Sequence, residues 1–107
     1  MVEERILVST TDGLPGRQTG AVLGLVWGHY VLTQDLRQHV QDLIETAGRT
    51  WVYEELLEAA REEAVREMLR KAEAMGANAV LAVRLNTSPV IGRGVEVLAY
   101  GTAAVVE

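Results

Sequence analysis

The stretch GAVLGLVWGHYV, residues 20–31, sets Gly20, Gly24 and Gly28 four residues apart, with Val, Leu, Ala and Trp between them. Three structures use glycine in such a setting: a membrane helix with a glycine seam, a phosphate-binding loop, and a strand lying close against something else. A membrane helix needs about 20 apolar residues. Here Arg17 and Gln18 bound one side, Gln34, Asp35 and Arg37 bound the other, and His29 falls inside. A dinucleotide loop needs G-x-G-x-x-G between a strand and a helix, and a spacing of four does not match it. The strand reading remains. Strict alternation then puts Gly20, Val22, Gly24, Val26 and Gly28 on one side, and Ala21, Leu23, Leu25 and Trp27 on the other. Glycine inside a strand marks a bulge or a close backbone approach. The expectation is a helix or a neighbouring subunit tight against the glycine face, so that Gly24→Val breaks folding or assembly for want of room.

The rest of the chain divides around this strand. RILVST, Arg5 to Thr10, is rich in β-branched residues and reads as a first strand. DGLPG, Asp12 to Gly16, is a turn. The second strand then runs from Arg17 to about Val31. Asp35 is a helix N-cap, Leu36, Val40, Leu43, Ile44 and Ala47 recur at helical spacing, and Gly48 closes a short helix. A long helix begins near Thr50 or Trp51. Leu57, Ala60, Ala64, Met68, Ala72 and Met75 line one of its faces. Glu62–Arg66 and Glu67–Lys71 form i,i+4 pairs on its exposed side, and Gly76 ends it. ANAVLAVRLN, Ala77 to Asn86, is a strand with Ala79, Leu81, Val83 and Leu85 on one face. TSPVIGRG, Thr87 to Gly94, reads as a loop. The last strand is Val95 to Val106.

These elements predict one α+β domain over residues 1–107. It has two layers: a mostly antiparallel sheet of about four strands, with one long and one short helix. One long helix covers one face of such a sheet. The second strand is apolar on both faces, and the last strand carries Leu98, Tyr100, Ala104 and Val106 on its second face. Strands apolar on both faces are normally buried on both, and a large exposed apolar patch marks a contact surface. Self-association is the expected answer.

Composition narrows the partners. The net charge is −5, and the ten basic residues form no block. A nucleic-acid surface needs a basic stripe, so no nucleic-acid partner is expected, and no membrane partner either. The opening MVEERILVSTTDG lacks the pattern of a signal peptide, so the expected location is the cytoplasm. There is no cysteine, which removes disulfides, thiolate metal sites and thiol nucleophiles.

The residues that carry chemistry are few. His29 and His39 are the only histidines. Asp35, His39 and Asp42 share a helical spacing that permits chelation. His29, Asp35 and His39 are therefore the metal candidates. Against them, Asp35 is explained as a cap and His29 as a satisfied, partly buried strand histidine. TTDGLPGR and IGRG each set glycine beside arginine, where backbone N–H groups with Arg17 or Arg93 can hold an anion. Turn chemistry alone also accounts for those glycines. No G-x-S-x-G elbow is present. Adjacent acidic pairs such as Glu62–Glu63 point about 100° apart on a helix and read as a solvated face. No catalytic residue is assigned.

ILVSTTDGLPG near the start, AREEAVREMLRKAEAMGANAVLAVRL over Ala60 to Leu85, and GVEVLAYGTAAVV near the end resemble the YbjQ-like family, small bacterial and archaeal proteins of uncharacterised function. MGANAVLAVR and YGTAAV carry most of the resemblance, which covers nearly the whole chain. It implies a β-α-β-β-type sheet with a long helix, dodecin-like in outline, and a ring-shaped homo-oligomer, a pentamer. The family is sometimes labelled heavy-metal-binding, and a soft-metal site built on thiolate is absent from this chain. The expected function is a ring-forming module that binds a small ligand or ion at subunit contacts. The alternatives are an enzyme with a site between subunits and a ring that docks another protein.

Overall fold

The computed structural model describes residues 6–33, 41–42, 45, 51–92 and 94–107. Among the described residues the elements with defined bounds are, in order, β1 (Leu7–Val8), β2 (Thr19–Thr33), α1 (Trp51–Ala74), β3 (Ala79–Val90) and β4 (Gly94–Val106). One sheet holds all four strands in the order β1-β3-β4-β2. β4 lies between β3 and β2 and is antiparallel to both, while β1 adds to β3 in parallel. The sheet is mixed, and its arrangement is α+β with one long helix, as the sequence predicts. Of the short helix expected over Asp35 to Ala47, Gln41, Asp42 and Glu45 are helical. The remainder lies outside the described residues.

The long helix forms where the apolar period predicts it. Ala60, Ala64, Met68 and Ala72 are buried to within 1%. Gly76 stops it in the left-handed region at φ 92°. Two bonds finish the last turn: Gly76 N–H donates to Glu73 O at 2.9 Å and Ala77 N–H to Ala72 O at 3.1 Å. That pair satisfies carbonyls the helix would otherwise leave open. Met75, expected on the buried face, lies just past the last helical residue, Ala74, and is 41% exposed.

The helix meets the sheet most closely at Gly28. A Cβ there would lie 2.5 Å from Met68 N and closer still to Ala64 O. So the close approach read from the glycines is real, but it belongs to Gly28. At Gly24 an added Cβ would come only to 4.0 Å from Met75 Cε. The crowding expected at Gly24 is therefore corrected. What constrains Gly24 is its φ of 131°, which L side chains rarely adopt.

That φ belongs to a bulge. The β2–β4 register jumps between Val22 and Gly24, leaving Leu23 without its own partner, and it jumps again at Gly20. An extra residue inverts the alternation of everything beyond it. Val22 pairs with Ala104 and so stands on the far side with Leu25 and Trp27, away from Gly24, Val26 and Gly28. β3 repeats the device. Its register jumps between Leu81 and Arg84, and Ala82 takes φ 54°. Ala79 and Leu81 consequently face away from the helix, while Val80 and Val83 join the helix-side core. The single face predicted for Ala79, Leu81, Val83 and Leu85 is thus split by one residue. The bulge is held from outside, since Ala82 N–H donates to Thr11 O at 2.9 Å and Val83 N–H to Ser9 O at 3.0 Å.

Thr87 to Val90, read as loop, continue β3. Pro89 pairs with Val95 and Val90 with Gly94. β1 pairs only with Ala79 and Val80, so this part of β3 is an edge, where proline is tolerated.

Three variants give testable outcomes. Gly28→Ala should cost about 2–3 kcal/mol by overpacking, read as a lower urea midpoint. Gly13→Ala, where nothing lies within 4 Å, should stay within about 0.5 kcal/mol of wild type. Ala82→Gly should stabilise by roughly 0.5–1 kcal/mol, because the left-handed strain of alanine outweighs the added chain entropy of glycine.

Candidate functional site

The far face of the sheet divides in two. At one end Ala79, Leu81, Ala104 and Val106 form a buried cluster capped by Leu14 from the loop after β1. That loop is built from its own polar groups. Thr11 N–H donates to Ser9 Oγ at 3.0 Å, and Thr11 Oγ1 donates to Gly13 O at 2.5 Å. Arg84 Nη1 donates to Thr10 O at 2.9 Å and ties the loop to β3. Asn78 completes the end of the sheet: its side chain donates to Val106 O and accepts from Val106 N–H, both at 2.8 Å.

The other half of the far face is open. Leu25 is 65% exposed, Trp27 47% and Tyr100 38%. Register sets Trp27 opposite Tyr100 and Tyr100 opposite Arg84. One transverse row therefore runs Trp27, Tyr100, Arg84 across three strands. The next runs His29, Leu98, Asn86. Leu25, Trp27, Asn86, Leu98 and Tyr100 line a shallow groove of about 570 Å³.

At the open edge of β2 a charged cluster closes around the strand. The His29 backbone N–H, which has no strand beyond it, donates to Glu67 Oε1 at 3.2 Å. His29 Nδ1 lies 3.6 Å and Lys71 Nζ 3.4 Å from the same oxygen. Lys71 Nζ also stands 5.3 Å from the centre of the Trp27 ring, within cation–π range. Partial burial pushes the Glu67 carboxyl up. The His29 N–H bond, the Lys71 hydrogen bond, and the charges of Lys71 and His29 push it down and prevail, so it sits below its ordinary value.

The candidates named from sequence are scattered. His29 is at this edge with its side chain about half exposed, more open than a buried strand histidine. Arg17 is exposed, and its backbone N–H closes a turn on Leu14 O at 3.0 Å. Asp35, His39 and Arg93 lie outside the described residues. The Glu67–Lys71 pair is present as expected, and Arg66 pairs with Glu63 at 2.7 Å. What the sequence reading did not single out is the row of Trp27, Tyr100 and Arg84.

A family model described as "Putative heavy-metal-binding" matches residues 6–107. The chain belongs to the YbjQ-like family. A "UPF0145 protein" of Archaeoglobus fulgidus is 35% identical over 106 residues, covering 95% of this chain and 96% of its own length. One from Pyrococcus furiosus is 39% identical over 108 residues, covering 99% and 95%. A crystal structure of a DUF74-family protein of unknown function from Pediococcus pentosaceus superposes with a TM-score of 0.65 at 17% identity, over 95% of this chain and 98% of that one. At that identity it shows the shared fold alone.

The heavy-metal description can be tested on the donors present. Soft metals select thiolate, and the chain has no cysteine. Among the described residues no group of three or more His, Asp or Glu converges. The contact between His29 and Glu67 already directs its oxygen at a backbone N–H and at Lys71, whose ammonium would repel a cation. The described residues do not fit a heavy-metal site. Among them, no helix is long and apolar enough to cross a membrane.

Glu67 gives a pH prediction. A carboxyl lowered in the folded state adds stability that is present above its unfolded pKa and is lost as pH falls through the folded one. Glu67→Gln should therefore be less stable than wild type at neutral pH, with the gap closing below the ordinary carboxylate range. Thermal melts across that range check it.

Proposed function

We propose that this chain is a ring-forming homo-oligomeric module that holds a small ligand at contacts between its subunits. The observation that carries the reading is the open half of the far sheet face, where Val22, Leu25, Trp27 and Tyr100 stand exposed in one area. Scattered exposed apolar residues are ordinary, but a contiguous set marks a contact surface. Shape supports the same reading. The radius of gyration is 16.6 Å and the extents are 54 × 25 × 22 Å, against about 13 Å for a compact chain of this size. One helix on one side of a long sheet leaves apolar surface for another copy. Five subunits is the count that the family resemblance implies. The cysteine-free composition suits the reducing cytoplasm, which is the compartment proposed.

Native mass spectrometry of the untagged protein checks the assembly. A closed species of five chains is expected, and Leu25→Glu, a charge placed on this face, should convert it to monomer. A wild-type protein that stays monomeric overturns the reading.

A further inference from the structure

The groove on the open face is furnished for more than self-contact. Its floor holds two aromatic residues side by side, Trp27 and Tyr100, flanked by Leu25 and Leu98. Cross-strand partners on one face stand close enough to offer one continuous platform. A cation stands at each side of that platform. On the β3 side is Arg84, opposite Tyr100, with its Nη1 fixed by Thr10 O and Val83 O at 2.9 Å each. A guanidinium has five donors, so these two bonds leave others to offer. On the β2 side is Lys71, beside the Trp27 ring. Asn86 lines the groove and supplies an amide that both donates and accepts. On the strands the nearest acidic residue is Glu96, two rows beyond Tyr100 on β4; from the helix, Glu67 stands at the β2 edge and pairs with Lys71 at 3.4 Å, which leaves Arg84 as the cation for an anion.

We infer that this groove binds a planar heteroaromatic anion of mononucleotide size. The ring stacks on Trp27 and Tyr100, Asn86 meets polar atoms at the ring edge, and Arg84 takes the anionic group. Aromatic platforms beside cations are how bases are held without a sequence code. The volume of about 570 Å³ falls within the range of small-molecule sites. A polymer is disfavoured by the net charge of −5, which repels a long polyanion while leaving one local contact intact. The inference deepens the assembly reading and rests on it for closure of the site: the groove is shallow on one chain, and in that reading a second copy covers it, while the platform itself belongs to one chain.

The fluorescent etheno derivative of AMP tests it. Saturable quenching by the assembled protein is expected, reversed by AMP and at least tenfold less readily by adenosine. Trp27→Leu, which keeps apolar bulk, should weaken binding at least tenfold. Tyr100→Leu serves the same purpose should the first variant fail to fold by circular dichroism. No quenching by protein that is oligomeric in native mass spectrometry overturns the ligand and leaves assembly standing. Quenching unchanged in folded aromatic variants overturns it too. A single-stranded oligonucleotide that displaces the probe more than tenfold better than AMP overturns the mononucleotide in favour of a polymer. Specific quenching by a protein that stays monomeric supports the groove and overturns the assembly reading alone.

Discussion

Gly28 lets the long helix lie with its backbone against the second strand. Ala64 O and Met68 N occupy the space a side chain would need, and alanine at 60, 64 and 72 keeps the rest of the seam thin. Helices normally stand off a sheet by the depth of their side chains. Here that depth is largely missing along one line, so the helix is held at one lateral position, over β2 and β4. The price is coverage, since a helix drawn to the edge strand leaves much of β3 beyond Arg84 without a roof. It also brings Glu67 and Lys71 to the strand's open edge. There the carboxylate takes the His29 N–H that a further strand would otherwise pair. An edge blunted by a charged side chain resists uncontrolled strand addition.

The bulges at Leu23 and Ala82 are the second determinant. Each inserts one residue and so exchanges the two faces of the strand that follows. Without the first, Val22, Gly24, Val26 and Gly28 would share a side, and Val22 would leave the open face. Without the second, Arg84 would turn to the helix side and the row with Trp27 and Tyr100 would not exist. The N-terminal segment anchors the β3 bulge through Thr11 O and Ser9 O. Its turn also supplies Leu14 to cap half of the far face. The loop therefore contributes to the fold first, and the arginine candidate within it, Arg17, has no converging partner among the described donors.

This explains which parts of the molecule were legible in the sequence. The helix was, because a 3.6-residue apolar period and a terminal glycine are local signals. The succession of strands along the chain followed from composition and turns, but their order in the sheet, β1-β3-β4-β2, did not. The glycine seam was legible as a kind of contact, but not its position, since that depends on where α1 crosses β2. Face assignments failed at the bulges, for a single inserted residue leaves no mark in composition. Only the glycine at 24 hinted at one, and Ala82 gave no hint. Residues 87–90 looked like a loop because Pro89 and Ser88 are loop residues, whereas a half-edge strand accommodates both. The Trp27–Tyr100–Arg84 row joins Trp27 to residues 57 and 73 positions later in the chain and is set by register alone.

The division of the far face carries the remaining argument. A chain of this size buries a modest share of its surface, so it gains by covering what it can. Leu14 covers the half over β3 and the end of β4, where the exposed side chains would be Ala79, Leu81, Ala104 and Val106. Nothing among the described residues does the same for Leu25, Trp27, Leu98 and Tyr100. Aliphatic side chains alone would suffice for a subunit contact. Two aromatic rings in register, with an arginine held beside them by backbone carbonyls, add direction to that surface. A guanidinium kept in place by Thr10 O and Val83 O has lost much of its freedom already, so it meets an anion with less left to lose. The same bonds that fasten the loop to the sheet thus hold the guanidinium that stands beside Tyr100, and fold and proposed site depend on the same few contacts.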